Sequence, residues 1–188
     1  MALALTTLRL ALGPVFVLIG ALEIRGPLAG IVLTTGFLSD YFDGVVARRG
    51  QADSAALRRY DSGSDTVFYL GAAFAAWRLY PDAVRAHAVG ILLVLGTQAV
   101  DHVIEIVKFG REAAYHAWTA RLWGLMLASA LFTLFATGVD ALVSVAILCG
   151  LVSNLENLAI TLVLPSWPHD VPSVVHALRV RSRRDVSD

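Results

Sequence analysis

The chain has 188 residues, a formal net charge of zero and a mean hydropathy of +0.67, with 57% hydrophobic and only 16% charged residues. Soluble domains carry roughly 25% charged residues, so this balance excludes an ordinary water-soluble globule. The neutral total excludes nucleic-acid binding through bulk charge, and a lone cysteine, Cys149, excludes an internal disulfide.

The apolar runs are too long and continuous for barrel strands, and lipid gives backbone groups no hydrogen-bond partner, so the spanning elements are helices. The expected fold is an all-α integral membrane protein of about six transmembrane helices around a polar cavity open to the cytoplasm. In chain order the expected spans are 8–24, 26–47, 59–80, 83–107, 118–138 and 141–164. Turn chemistry separates them: "EIRGP", "RRGQADS", "LYPD", "KFGRE", "TGVD" and "LPSWP". The first 22 residues could pass for a signal peptide, but further apolar segments follow and no small-residue cleavage site stands out. Residues 1–164 are read as the transmembrane domain and 165–188 as a basic cytoplasmic tail. Six spans put both termini on one side. Twelve of the 15 Lys and Arg residues fall there, among them Arg9, Arg48, Arg58, Lys108, Arg121 and Arg179; only Arg25, Arg78 and Arg85 lie opposite. That asymmetry predicts cytoplasmic termini in the cell (inner) membrane. The tail "ALRVRSRR" either touches anionic lipid head groups or simply obeys the same charge rule.

The second span ends on Asp40 and Asp43, three residues apart and so on one helix face, with Gly44, Ala47 and Arg48 on the same broad face. The third opens on Asp61 and Asp65, four apart and again on one face. A short connection joins the two helices, so four carboxylates can converge near the cytoplasmic surface. Carboxylates that close raise one another's pKa, and a cation resolves the conflict. Oxygen-only ligands suit Mg²⁺, Mn²⁺ or Ca²⁺, and four Asp can hold two ions, an arrangement used for displacement at phosphorus. Arg48 adds a charge able to clamp phosphate, while Gly44 and Ala47 leave open wall beside it. The bland alternative is a set of membrane-end carboxylates paired with nearby arginines. Intramembrane acidic groups are costly and usually functional, which favours the metal reading.

Further along, Asp101 and Glu105 are one turn apart in the fourth span, where pairing with Lys or Arg of the following loop is expected. The stretch "KFGREAAYHAWTARLWGL" offers Lys108, Arg111, His116 and Arg121 for an anionic acceptor; the alternative is positive-inside anchoring with Tyr115, Trp118 and Trp123 as an interfacial aromatic belt. Arg121 is the best single candidate, because a charge at the start of an apolar span needs a reason. Glu156, well inside the sixth span, is expected to face other helices, an acceptor cavity or a subunit contact.

The spacing of Asp40, Asp43, Gly44, Ala47, Arg48, Asp61 and Asp65 resembles the signature of the CDP-alcohol phosphatidyltransferase family. Ser39 and the N-terminal "LTTLRLALGP" are also similar to that family. One position departs: Leu57 stands where the family has its second glycine. The resemblance implies transfer of a phospho-alcohol group from a CDP-linked lipid, with CDP-diacylglycerol as first candidate, to a small polar acceptor alcohol with release of CMP. A phosphatidylglycerophosphate-synthase-like reaction on glycerol 3-phosphate comes first; serine, inositol phosphate or another polyol phosphate stay open. The resemblance further implies two ions, Mg²⁺ or Mn²⁺: one on Asp40, Asp43 and Asp61, the other on Asp40, Asp61 and Asp65. Asp65 would also be the general base; Gly44, Ala47 and Arg48 would line the CDP site. A homodimer among membrane lipids is implied as well, and no nucleic-acid partner. Two other readings stand beside it: a divalent-metal transporter, and a nucleotide-binding relative disabled around Leu57.

Overall fold

The computed structural model describes residues 2–50, 55–111, 117–164, 166–167 and 171–185; the side chains of residues 2, 41, 43–50, 55–59, 62 and 180–185 are not among those described. Among the described residues every regular element is a helix: α1 Ala2–Ala21, α2 Pro27–Gly50, α3 Ala55–Leu79, α4 Pro81–Ala86, α5 Ala88–Phe109, α6 Trp118–Thr137, α7 Ala141–Val163 and α8 Val174–Asp185. Four meet the length and composition needed to cross a bilayer: Leu3–Ala21, Ala88–Phe109, Trp118–Thr137 and Ala141–Val163. At 24 and 25 residues, α2 and α3 are also long enough, but both carry several charged residues. Apolar side chains face outward on the long helices, with Leu70 65%, Val107 81% and Leu148 62% exposed. Outward leucine and valine on this scale suit a hydrocarbon surround.

The chain forms two compact units. The first comprises residues 1–86 and 128–140. Here α1 packs most extensively on α3 and next on α2. Small residues permit this. A Cβ at Gly71 of α3 would stand 2.4 Å from the Gly13 carbonyl oxygen of α1, and one at Gly36 of α2 would stand 2.3 Å from the Phe68 ring. Small residues at a helix contact let the backbones approach this closely. The core they enclose holds Phe16, Ile19, Leu33, Phe68, Leu79 and Phe135. Phe16 meets Phe68 edge-on at 5.4 Å and stacks on Phe135 at 5.6 Å between ring centroids. At one end, the turn between α1 and α2 places Glu23 at φ +53° and Gly26 at φ +109°, and Pro27 opens α2. Glu23 there accepts a hydrogen bond from Arg78 at 2.9 Å.

The expected fourth span, 83–107, is interrupted. Pro81 begins the short α4, and α5 restarts after His87, whose φ of −103° and ψ of 5° leave the helical region.

The second unit comprises residues 87–127 and 141–188. In it α5 and α7 run parallel in contact along their length. Near their start a Cβ at Gly90 would stand 2.9 Å from the Ile147 side chain. Midway the Asn154 amide donates to the Val94 carbonyl at 2.9 Å and to the Thr97 hydroxyl at 2.8 Å. At the far end Lys108 reaches the Thr161 and Leu162 carbonyls. The expected tail is ordered into α8, whose Ala177 packs with Val171 against Ile160 and Leu164 of the α7 end.

Candidate active site

The site is built where α1, α2 and α3 meet. Arg9 lies one turn before Gly13 on α1, and the tight α1–α3 contact brings its guanidinium to the start of α3. Its Nη1 donates to Oδ1 of Asp61 at 3.2 Å and makes a shorter contact with Oδ1 of Asp65. The same nitrogen lies 3.1 Å from Oδ1 of Asp40 on α2. Three carboxylate oxygens from two helices thus converge on one nitrogen from a third. Arg9 is 1% exposed, whereas Asp40, Asp61 and Asp65 are 51%, 41% and 36% exposed. The carboxylates therefore open outward and the arginine backs them from within.

Hydroxyls around the cluster are committed locally. The Ser39 hydroxyl donates to the Gly36 carbonyl and that of Ser64 to the Tyr60 carbonyl, each within its own helix. Thr7 Oγ1 and the Tyr60 hydroxyl are 3.1 Å apart, a second α1–α3 tie at the level of Arg9. None of these hydroxyl bonds is made to the carboxylates, whose oxygens instead face Arg9.

Asp40, Asp61 and Asp65 are therefore brought together. The side chains of Asp43, Gly44, Ala47, Arg48 and Leu57 lie outside the described residues, although their backbones belong to α2 and α3. Lys108, Arg111 and Arg121 belong to the second unit, each with a local contact. Lys108 Nζ donates to the carbonyls of Thr161 at 2.7 Å and Leu162 at 3.1 Å, closing the α7 C-terminus. The Arg111 guanidinium lies 3.7 Å from the Trp167 ring centroid, and that of Arg121 lies 5.0 Å from the Trp118 ring centroid. His116 and Tyr115 lie outside the described residues. Trp118 is 67% exposed, as an interfacial belt residue would be. Trp123 instead rests against α7, where a Cβ at Gly150 would stand 2.8 Å from its Nε1.

Three carboxylates within the apolar helices have other surroundings. Glu156 accepts hydrogen bonds from the Thr119 hydroxyl and, at 3.4 Å, from the Val174 backbone N–H, joining α6, α7 and the start of α8. Asp101 and Glu105 are 5% and 6% exposed on α5, and Asp101 Oδ1 has no hydrogen-bond partner among the described residues. The expected loop pairing is not what Lys108 provides, because it is held by the α7 carbonyls.

Arg9 was read in the sequence for its charge and as part of the family-like stretch "LTTLRLALGP", but was not joined to the carboxylates. A guanidinium inside an apolar run was the available signal, since such a group requires an anionic partner.

A divalent cation suits this donor set. Three hard oxygens already point at one centre, and among the described residues no histidine or cysteine joins them. Among the described residues no three acidic, histidine or cysteine side chains form a ready-made metal cage; the point they share is held by Arg9 Nη1. No curated protein and no solved structure matches the chain. A family model does, over residues 1–166, a range that takes in α1 to α7 and Asp40, Asp43, Asp61 and Asp65. With the acidic cluster of α2 and α3 inside the matched region of an all-helical membrane protein, this chain belongs to the CDP-alcohol phosphatidyltransferase family, whose members transfer a phospho-alcohol group from a CDP-linked donor.

Proposed function

We propose that this protein transfers the phosphatidyl group of a CDP-linked lipid, CDP-diacylglycerol, to a small acceptor alcohol, glycerol 3-phosphate first, and releases CMP. The observation that carries the reading is the convergence of Asp40, Asp61 and Asp65 on one cationic centre. In the reaction the acceptor oxygen attacks the phosphorus bearing the lipid. A new P–O bond forms, the bond from that phosphorus to the CMP oxygen breaks, and the electron pair leaves on CMP. Asp65 takes the acceptor's proton. Asp40, Asp43, Asp61 and Asp65 hold two Mg²⁺ or Mn²⁺ ions, in keeping with a family that is generally divalent-metal dependent. Bound there, such ions neutralise the diphosphate and the departing CMP oxygen. Gly44 and Ala47 give the donor's diphosphate and base room along α2, and Arg48 clamps phosphate.

For the acceptor, Arg121 leads. Its guanidinium lies further from its aromatic neighbour, 5.0 Å from the Trp118 centroid against 3.7 Å for Arg111 over Trp167, with Arg111 and Lys108 as further candidates; Lys108 already meets two carbonyls. The reading places α2 and α3 in the bilayer as well, giving six spans in the cell membrane around a cavity open to the cytoplasm. Outward Ile31, Leu38, Leu70 and Trp77 on those two helices support it. So does the excess of Lys and Arg on one side. Residues 165–188 form the cytoplasmic tail, and two copies assemble as a homodimer. Arg48, on the same helix as Asp40 and Asp43, counts against a cation path, since a fixed positive charge there repels a permeating ion.

The test is CMP release by purified protein in detergent with CDP-diacylglycerol and Mg²⁺ or Mn²⁺, one acceptor at a time, against Asp65→Asn. Release that requires glycerol 3-phosphate and falls by about 10²- to 10⁴-fold in the variant is expected, the usual worth of a general base. Release only with serine or inositol phosphate would reassign the acceptor. No release with any acceptor would overturn the reading.

A further inference from the structure

Arg9 Nη1 occupies the point on which Asp40, Asp61 and Asp65 converge, with oxygens at 3.1 Å and 3.2 Å and a third closer still. Mg²⁺ bonds oxygen at about 2.0–2.1 Å and demands that its ligands surround it. An ion at that shared centre and the guanidinium nitrogen would overlap, so the two cannot occupy it together. We propose that Arg9 is the built-in counter-ion of the carboxylate site and that divalent-ion loading displaces it. The proposal rests on the metal reading given above and adds a regulation of that site.

The placement of Arg9 supports an exchange. It is fully buried on α1, held there by the Gly13–Gly71 approach, while the carboxylates it contacts are open outward. A cation arriving at the open side meets oxygens already gathered. Without a positive charge at their centre, three carboxylates from α2 and α3 would repel and splay. Arg9 thus keeps the site assembled before metal arrives, and in doing so competes with the metal. Arg9 is a positioning residue in this scheme: it acts on the carboxylates rather than on the substrate.

The readout is metal affinity, not turnover. Mn²⁺ binding to the full-length protein in detergent, followed by the electron paramagnetic resonance signal of free Mn²⁺, is compared among wild type, Arg9→Gln, Arg9→Lys and Asp40→Asn. Removing a unit positive charge beside a dication should tighten Mn²⁺ binding in Arg9→Gln by about tenfold or more, with Arg9→Lys in between and Asp40→Asn weakened. Mn²⁺ binding in Arg9→Gln equal to or weaker than in wild type, while Asp40→Asn still loses it, overturns the exchange and leaves the metal reading standing. Absence of Mn²⁺ binding in wild type and Arg9→Gln alike overturns both. If Arg9→Gln fails to fold, the wild type decides. Mg²⁺ titration of protein labelled with ¹⁵N-arginine should shift the Arg9 Nε resonance, identified by its loss in Arg9→Lys. A resonance unmoved at saturating Mg²⁺ overturns the proposal.

Discussion

A lysine at a membrane surface can bind a ligand or finish a helix, and Lys108 has the geometry of the second task. Its ammonium group meets two of the last carbonyls of α7, the kind of group a helix end offers to outside donors. A cation there also offsets the negative end of the helix dipole, worth roughly 0.3–1 kcal/mol at an exposed site. Lys108→Met should therefore lower the unfolding midpoint modestly while leaving KM for the acceptor within about twofold, since each 1.4 kcal/mol of lost binding is tenfold. A rise of tenfold or more in acceptor KM would return Lys108 to the acceptor site. At this scale the sequence was informative about kinds of residue but not about their partners. Asp40, Asp61 and Asp65 were legible from spacing alone. Arg9 was not joined to them, because its partners lie 52 and 56 residues away and depend on how α1 packs.

That packing is decided at the scale of the element. The α1–α3 contact is a matter of absent side chains: Gly13 and Gly71 allow the two backbones to touch, and this closeness puts Arg9 within reach of Asp61 and Asp65. Gly71→Ala should push the helices apart, because the new Cβ would meet a backbone oxygen that cannot rotate away. A loss of about 1–3 kcal/mol is expected, as for overpacked cores, together with weaker Mn²⁺ binding as the carboxylates lose their common centre. Gly96→Ala in α5 is the control. Nothing lies within 4 Å of its added methyl group, so it should alter stability by no more than about 1 kcal/mol, the ordinary difference in helix propensity. Thermal unfolding in detergent compares the two, and equal effects would remove the argument from close approach. Helix positions could be read from apolar run length, and α1, α2, α3, α6 and α7 lie close to the expected spans. The break at His87 could not, since the residues from Pro81 to Phe109 contain no internal proline to announce it. Order in the tail was equally hidden: α8 exists through contacts of Val171 and Ala177 with the end of α7, which no local pattern declares.

For the whole molecule, the number of helices that cross the bilayer is read from the side on which one residue position lies. If α2 and α3 both cross, the connection between them lies on the side opposite to the α3–α4 junction. If neither crosses, the two lie on the same side. Residue 82 does not change sides between the alternatives, because two crossings cancel; residue 54 does. In a Cys149→Ser background, single cysteines at Ser54, Asp82, Asp140 and Ser182 can be challenged with a membrane-impermeant maleimide in right-side-out and inverted vesicles. Six spans with cytoplasmic termini predict labelling of Asp82→Cys and Asp140→Cys from outside, and of Ser54→Cys and Ser182→Cys only in inverted vesicles. Labelling of Ser54→Cys from outside together with Asp82→Cys would leave four spans and lay α2 and α3 along the membrane. The carboxylates would then face the outer surface, away from a cytoplasmic supply of CDP-linked lipid and acceptor. The chemistry argues for the first outcome. Donor tails enter from lipid and acceptors from water, so a site at the cytoplasmic ends of crossing helices is where both can arrive.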